Sequence, residues 1–128
     1  MNATVRVLLG DDHKIVREGR KMVLADDPHL QVVAEADTGP GVLDEVQKRQ
    51  GLQGIDVVLL DIQMPGLTGV EALALLGDDG PTVVFCTAHA DHAVAAFEHG
   101  AVDYLRKPID AARLHKALER AKRRALGP

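Results

Sequence analysis

Five strand-length apolar runs alternate with five stretches of helical character, and this alternation restricts the fold more than any other feature of the chain. The runs are Val5 to Leu9, Leu30 to Ala36, Val57 to Asp61, Thr82 to Cys86 and Val102 to Leu105. After the first, Ile15, Val16, Gly19, Met22 and Val23 recur at helical spacing until Asp26-Asp27-Pro28 stops them. Thr38-Gly39-Pro40-Gly41 reads as a turn, followed by a helix from Val42 to Gln50 with Val42, Leu43 and Val46 inward. Thr68 can cap a short helix through Leu76, and Asp91 to His99 forms a weaker one. Asp110 caps a last helix with Leu114, Ala117, Leu118 and Ala121 in one stripe. Such short links force parallel strands joined by right-handed crossovers, with helices on both faces. The expected fold is therefore α/β, a doubly wound five-stranded parallel sheet of order 2-1-3-4-5.

Length and charge narrow the function classes. The 128 residues suit one domain, expected to fill 1–128 with its core at about 4–125 and to leave no room for an output domain. With 46% apolar residues, 27% charged residues and a net charge of −4, the chain reads as a soluble globular protein. That balance argues against binding nucleic acid through bulk positive charge. Its single cysteine, Cys86, excludes an internal disulfide framework, and the default compartment is a reducing cytoplasm. No apolar stretch approaches the ~18–20 residues of a membrane span, and no signal peptide precedes the first strand.

The strand ends carry the chemistry. Strand one ends at Asp11-Asp12, strand three at Asp61, strand four at Thr87 and strand five at Lys107. A strand-end Asp is more often a helix cap or a solvated loop acid than a reactive group. In order 2-1-3-4-5, however, these four strands are neighbours, and ligands collect at the carboxyl edge of such sheets. Three carboxylates crowded together repel and raise one another's pKa unless a cation neutralises them. Hard oxygen donors with room for waters suit Mg²⁺. A carboxylate beside Mg²⁺ can attack phosphorus, and an ammonium and a hydroxyl suit the charge that develops.

Asp11-Asp12, Asp61 followed by Met64-Pro65-Gly66, Thr87-Ala88 and Lys107-Pro108 together resemble the receiver domain of bacterial two-component response regulators, which is CheY-like in fold. The likeness runs from Val5 to about Arg120. It implies that Asp61 accepts a phosphoryl group from a histidine kinase. It also implies Mg²⁺ held by Asp11, Asp12, Asp61 and the Gln63 backbone carbonyl. Lys107 would pair with the phosphoryl oxygens, Lys107-Pro108 would be a cis peptide, and Thr87 with Tyr104 would form the transmission switch. Gln63 and His89 would tune the lifetime of the phosphoryl group. The output would be the face made by the fourth predicted helix, the fifth strand and the last helix. That face carries Asp91, Arg106, Arg113, Lys116 and Glu119, mixed charges suited to a homodimer.

The type of output is contested within the sequence. Thr87-Ala88-His89 through Lys107-Pro108 is similar to receivers attached to LytTR DNA-binding domains, although His92 stands where an aromatic is usual. Asp11-Asp12-His13 through Arg17-Glu18-Gly19 is closer to receivers with NarL-type helix-turn-helix outputs. The longer run is given the greater weight, and contact with DNA is expected only through an output domain outside this chain. A stand-alone receiver acting by protein–protein contact is the alternative. A haloacid dehalogenase-like Mg²⁺ phosphohydrolase would need an acid at position 63, where Gln63 stands. A flavodoxin-like cofactor binder would need a phosphate-cradling loop where Asp11-Asp12 repel anions.

Other features have plainer readings. His89, His92 and His99 form no recognisable zinc pattern. His13 is expected on the rim of the acidic pocket, Cys86 as a small buried residue, and Arg120 to Arg124 as a solvated helix end.

Overall fold

A computed structural model of the chain describes residues 4–49, 54–61, 80–87 and 101–126. Five parallel strands, β1 (Val5–Gly10), β2 (Leu30–Ala36), β3 (Val57–Asp61), β4 (Thr82–Thr87) and β5 (Asp103–Arg106), form one sheet of order β2-β1-β3-β4-β5. Three helices are described, α1 (Lys14–Leu24), α2 (Gly39–Lys48) and α3 (Ala111–Leu126). The helices expected at Thr68 to Leu76 and at Asp91 to His99 lie outside the described residues.

The central strands are apolar throughout because both of their faces are covered. Successive side chains alternate across the sheet. Val57 and Leu59 join Val7, Leu9, Val84, Cys86 and Leu105 on one face, packed on Leu24 of α1 and on Leu114, Ala117, Leu118 and Ala121 of α3. Val58 and Leu60 join Leu8, Val83 and Phe85 on the other, with Val42 of α2. The expected stripe of the last helix is thus buried, and Asp110 does cap it, its Oδ1 accepting from the Arg113 amide at 2.7 Å.

Three local readings need correction. Thr38-Gly39-Pro40-Gly41 is the start of α2, not a turn before it. Thr38 is the N-cap and its hydroxyl accepts from the Gly41 amide at 3.1 Å, while proline sits in the first helical turn, where its missing N–H costs nothing. Ile15 and Met22 do not face the core: they are 83% and 75% exposed, and Leu24 is the residue of α1 that is buried. The stripe is rotated because α1 must seat Leu24 against the sheet, which turns positions 15 and 22, seven apart, outward together. The last strand also runs one residue later than its apolar pattern suggested, because Asp103 rather than Val102 begins the ladder opposite Val84.

Candidate phosphoryl-acceptor site

Register brings the strand-end residues together. Gly10 pairs with Leu60, Asp61 with Cys86, and Thr87 with Arg106, so Asp11, Asp61, Thr87 and Lys107 all stand at the carboxyl edge of the sheet. The Lys107 amide donates to the Thr87 carbonyl at 2.7 Å, which ties the end of β5 to β4. The Lys107–Pro108 peptide is cis. Alternation then sorts the side chains. Asp11, Asp61 and Lys107 continue the face of Leu9, Leu59 and Leu105. Thr87 continues the face of Phe85, which is also that of Tyr104.

On the first of these faces the Lys107 ammonium bridges two acids, 3.0 Å from Asp11 Oδ2 and 2.9 Å from Asp61 Oδ2. Asp61 is 3% exposed and Asp11 is also buried. Burial alone would raise the Asp11 pKa. The His13 amide and the Lys107 ammonium outweigh it and hold the carboxyl below its usual range. Burial likewise opposes charge on Lys107, but its bonds to Asp61 and Asp11 raise its pKa above the ordinary lysine value. Asp12 is exposed, with its Oδ1 3.0 Å from His13 Nδ1.

The donor set fits a hard divalent cation. Three carboxylates gather there, with the Lys107 ammonium between two of them. One ligand atom from each of Asp11, Asp12, His13 and Asp61 lies within 4.8 Å of all the others. Gln63 and His89, assigned to the metal shell and to tuning, lie outside the described residues. Thr87 is fully buried and Tyr104 half-buried, on adjacent strands.

Several contacts were not anticipated. His13 is more than a rim residue, its Nδ1 standing 3.1 Å from Asp11 Oδ1 and 3.0 Å from Asp12 Oδ1. Arg17 Nη1 donates to the Asp11 carbonyl at 2.7 Å and fixes the loop that carries both acids. Arg113, 41% exposed, also grips Asp103 with its guanidinium at 2.8 and 3.1 Å. Arg120, read as solvated, reaches the same carboxylate at 3.3 Å, and Lys122 pairs with Asp27. The seven-residue spacing of Arg113 and Arg120 was the available signal, since it puts both on one helix face opposite a strand acid.

This architecture, with its acids and lysine at the carboxyl edge, is that of a signal-receiver module. Residues 7–119 match the family of the response regulator receiver domain, and the chain belongs to that family. It is similar to the transcriptional regulatory protein BtsR of Escherichia coli (strain K12), 38% identical over 117 residues that make up 91% of this chain and 47% of BtsR. An uncharacterized response regulatory protein of Vibrio cholerae is 40% identical over 114 residues, 88% of this chain and 46% of that protein. The chain thus spans about half the length of these relatives. Among solved structures, the response regulatory domain of mrkE from Klebsiella pneumoniae has a TM-score of 0.84 at 28% identity, covering 95% of this chain and 98% of that one. A response regulator receiver domain protein from Clostridium thermocellum has a TM-score of 0.79 at 30% identity, covering 95% and 98%. Among the described residues no helix is long and apolar enough to cross a membrane.

Proposed function

We propose that the chain is the phosphoryl-accepting switch of a cytoplasmic two-component response regulator, with Asp61 as acceptor and a histidine kinase as donor. The observation that carries this reading is the Lys107 ammonium seated between the buried carboxylates of Asp61 and Asp11. An Asp61 oxygen attacks phosphorus, and the bond from phosphorus to the donor nitrogen breaks with its electron pair going to that nitrogen. Lys107 meets the charge on the phosphoryl oxygens, as a positioned ammonium should. Asp11, Asp12 and Asp61, with the Gln63 carbonyl, would hold Mg²⁺, which when bound supplies further positive charge at those oxygens. Gln63 and His89 would flank the path of the water that later hydrolyses the acyl phosphate.

The added charge at Asp61 calls for a hydroxyl donor. Thr87 moves toward it, and Tyr104, on the same face of the next strand, turns into the space released. We read the output as transcriptional, through a LytTR-type DNA-binding domain outside this chain. Similarity to a protein named as a transcriptional regulator supports it. The homodimer face on β5 and α3 would then rely on Arg106, Lys116 and Glu119, beside Arg113, which also holds Asp103. Acetyl phosphate with Mg²⁺ should add one phosphoryl mass to the protein, and Asp61→Asn should abolish the addition. Full labelling of that variant at another acid would overturn the assignment.

A further inference from the structure

We propose that His13 gives this site a nitrogen ligand, so that it binds an octahedral, imidazole-preferring ion such as Ni²⁺ much more tightly than Mg²⁺. The proposal rests on the reading of Asp11, Asp12 and Asp61 as metal ligands and adds the residue that sets the choice of ion.

His13 occupies the N-cap position of α1, where a side chain ordinarily accepts a bond from the helix. Its imidazole makes no such bond. The His13 carbonyl accepts from the Val16 and Arg17 amides at 3.1 Å, as an N-cap carbonyl does, and its own amide donates to Asp11 Oδ1 at 2.9 Å. The ring is turned onto the acids, with Nδ1 3.1 Å from Asp11 Oδ1 and 3.0 Å from Asp12 Oδ1. Lys107 takes the other oxygen of Asp11, so the three atoms facing one another are two carboxylate oxygens and one imidazole nitrogen.

Separations of this size have two uses. They suit a hydrogen bond, in which Nδ1–H serves the carboxylates when no ion is bound. They also match the edge between neighbouring ligands of an octahedral ion whose bonds are about 2.0–2.1 Å, since such an edge is about 3 Å. A divalent ion can take the place of that proton without moving the backbone. The His13 side chain is 62% exposed, so the ring can withdraw by the small distance required. Imidazole contributes little to Mg²⁺, which prefers oxygen and water, and much to Ni²⁺ and its neighbours. The same ring therefore separates the two classes of ion.

Isothermal titration of the full chain with Ni²⁺ and with Mg²⁺ tests this, using the wild type, His13→Ala and Asp12→Ala. Loss of a direct ligand should weaken Ni²⁺ binding by about tenfold or more, while Mg²⁺ affinity changes less than about twofold. Asp12→Ala should weaken both ions, which assigns the Ni²⁺ event to this site and not to histidines elsewhere. Electron spin-echo measurements on the Mn²⁺ complex should show nitrogen coupling in the wild type and none in His13→Ala. Unchanged Ni²⁺ affinity in His13→Ala, an equal loss for both ions, or absence of nitrogen coupling would each overturn the proposal. If only the His13 effects fail while Asp12→Ala still removes Mg²⁺ binding, the metal role of the acids stands. If Mg²⁺ does not bind the wild type, that underlying reading fails instead.

Discussion

Two buried acid clusters sit on the same face of the sheet and are compensated in opposite ways. At the carboxyl edge, Asp11 and Asp61 share the ammonium of Lys107, with Asp12 close by. At the start of β5, Asp103 stands alone as the acid, 1% exposed, and receives two guanidiniums from α3 besides the Tyr104 amide at 2.8 Å. The second cluster is complete in itself and fastens α3 to the sheet. The first offers its ligand atoms to a cation. Three acids gathered around one shared ammonium mark the first cluster as the one suited to a cation.

The largest expected effect lies at the Asp103 clasp. Replacing both Arg113 and Arg120 by Ala strands a buried carboxylate and should cost about 3 kcal/mol in urea unfolding, the low end for such a loss because both arginines are partly exposed. Asp12→Ala, measured without metal, should leave stability unchanged or slightly raised by relief of repulsion. Equal losses from the two variants would erase the distinction. The pH dependence sharpens it. Burial raises the Asp103 pKa, but the Arg113 bond and the Tyr104 amide more than offset this and hold it below the ordinary 3.8. Its contribution is therefore present above that ordinary value and is lost as pH falls through the lower folded value. In the double variant only burial and the amide remain. If burial dominates, the acid limb of the stability curve should flatten or reverse its sign, as urea midpoints between about pH 5 and pH 3 would reveal.

Metal addition should separate the clusters next. Mg²⁺ at a hundredfold excess over its dissociation constant should stabilise the wild type by about 2.7 kcal/mol. The Arg113→Ala/Arg120→Ala variant should keep that increment, and Asp12→Ala should lose most of it. A thermal melt with and without Mg²⁺ reads both, and an increment lost from the clasp variant would show that the two regions are coupled. The smallest effect calibrates the others: Thr38→Ala, which removes the cap of α2 and touches neither cluster, should cost about 1 kcal/mol.

Much of this was legible in the sequence because period and punctuation are local. The runs ending at Asp11, Asp61, Thr87 and Lys107 announce buried parallel strands, and their order along the chain is enough to place four strand ends side by side. What escaped depended on partners distant in sequence. Asp103 and Arg113 are ten residues apart and belong to different elements, so the seven-residue spacing of Arg113 and Arg120 hints at a shared partner without naming it. Ile15 and Met22 carry the right spacing for a core stripe, but spacing does not say which stripe of α1 meets the sheet. Leu24 decides that through tertiary packing. At Thr38-Gly39-Pro40-Gly41 the same residues that make turns also begin helices, and only the bond from the Gly41 amide tells the two apart. The His13 ring lies at the rim as read, 62% exposed, but that its Nδ1 turns onto Asp11 and Asp12 is a matter of rotamer that the sequence does not carry.

Cys86 lies in the wall behind the acids, opposite Asp61 in the ladder, 2% exposed and with its thiol pushed up to about 12 by burial. A thiol so placed is almost inert toward electrophiles while the sheet is closed, because the reactive species is the thiolate and no reagent reaches it. As the chain's one cysteine, it is a native reporter of opening. The rate at which an alkylating reagent consumes it measures how often β3 and β4 part, and no label need be engineered. Followed with and without acetyl phosphate, that rate would show whether charging Asp61 tightens or loosens the middle of the sheet.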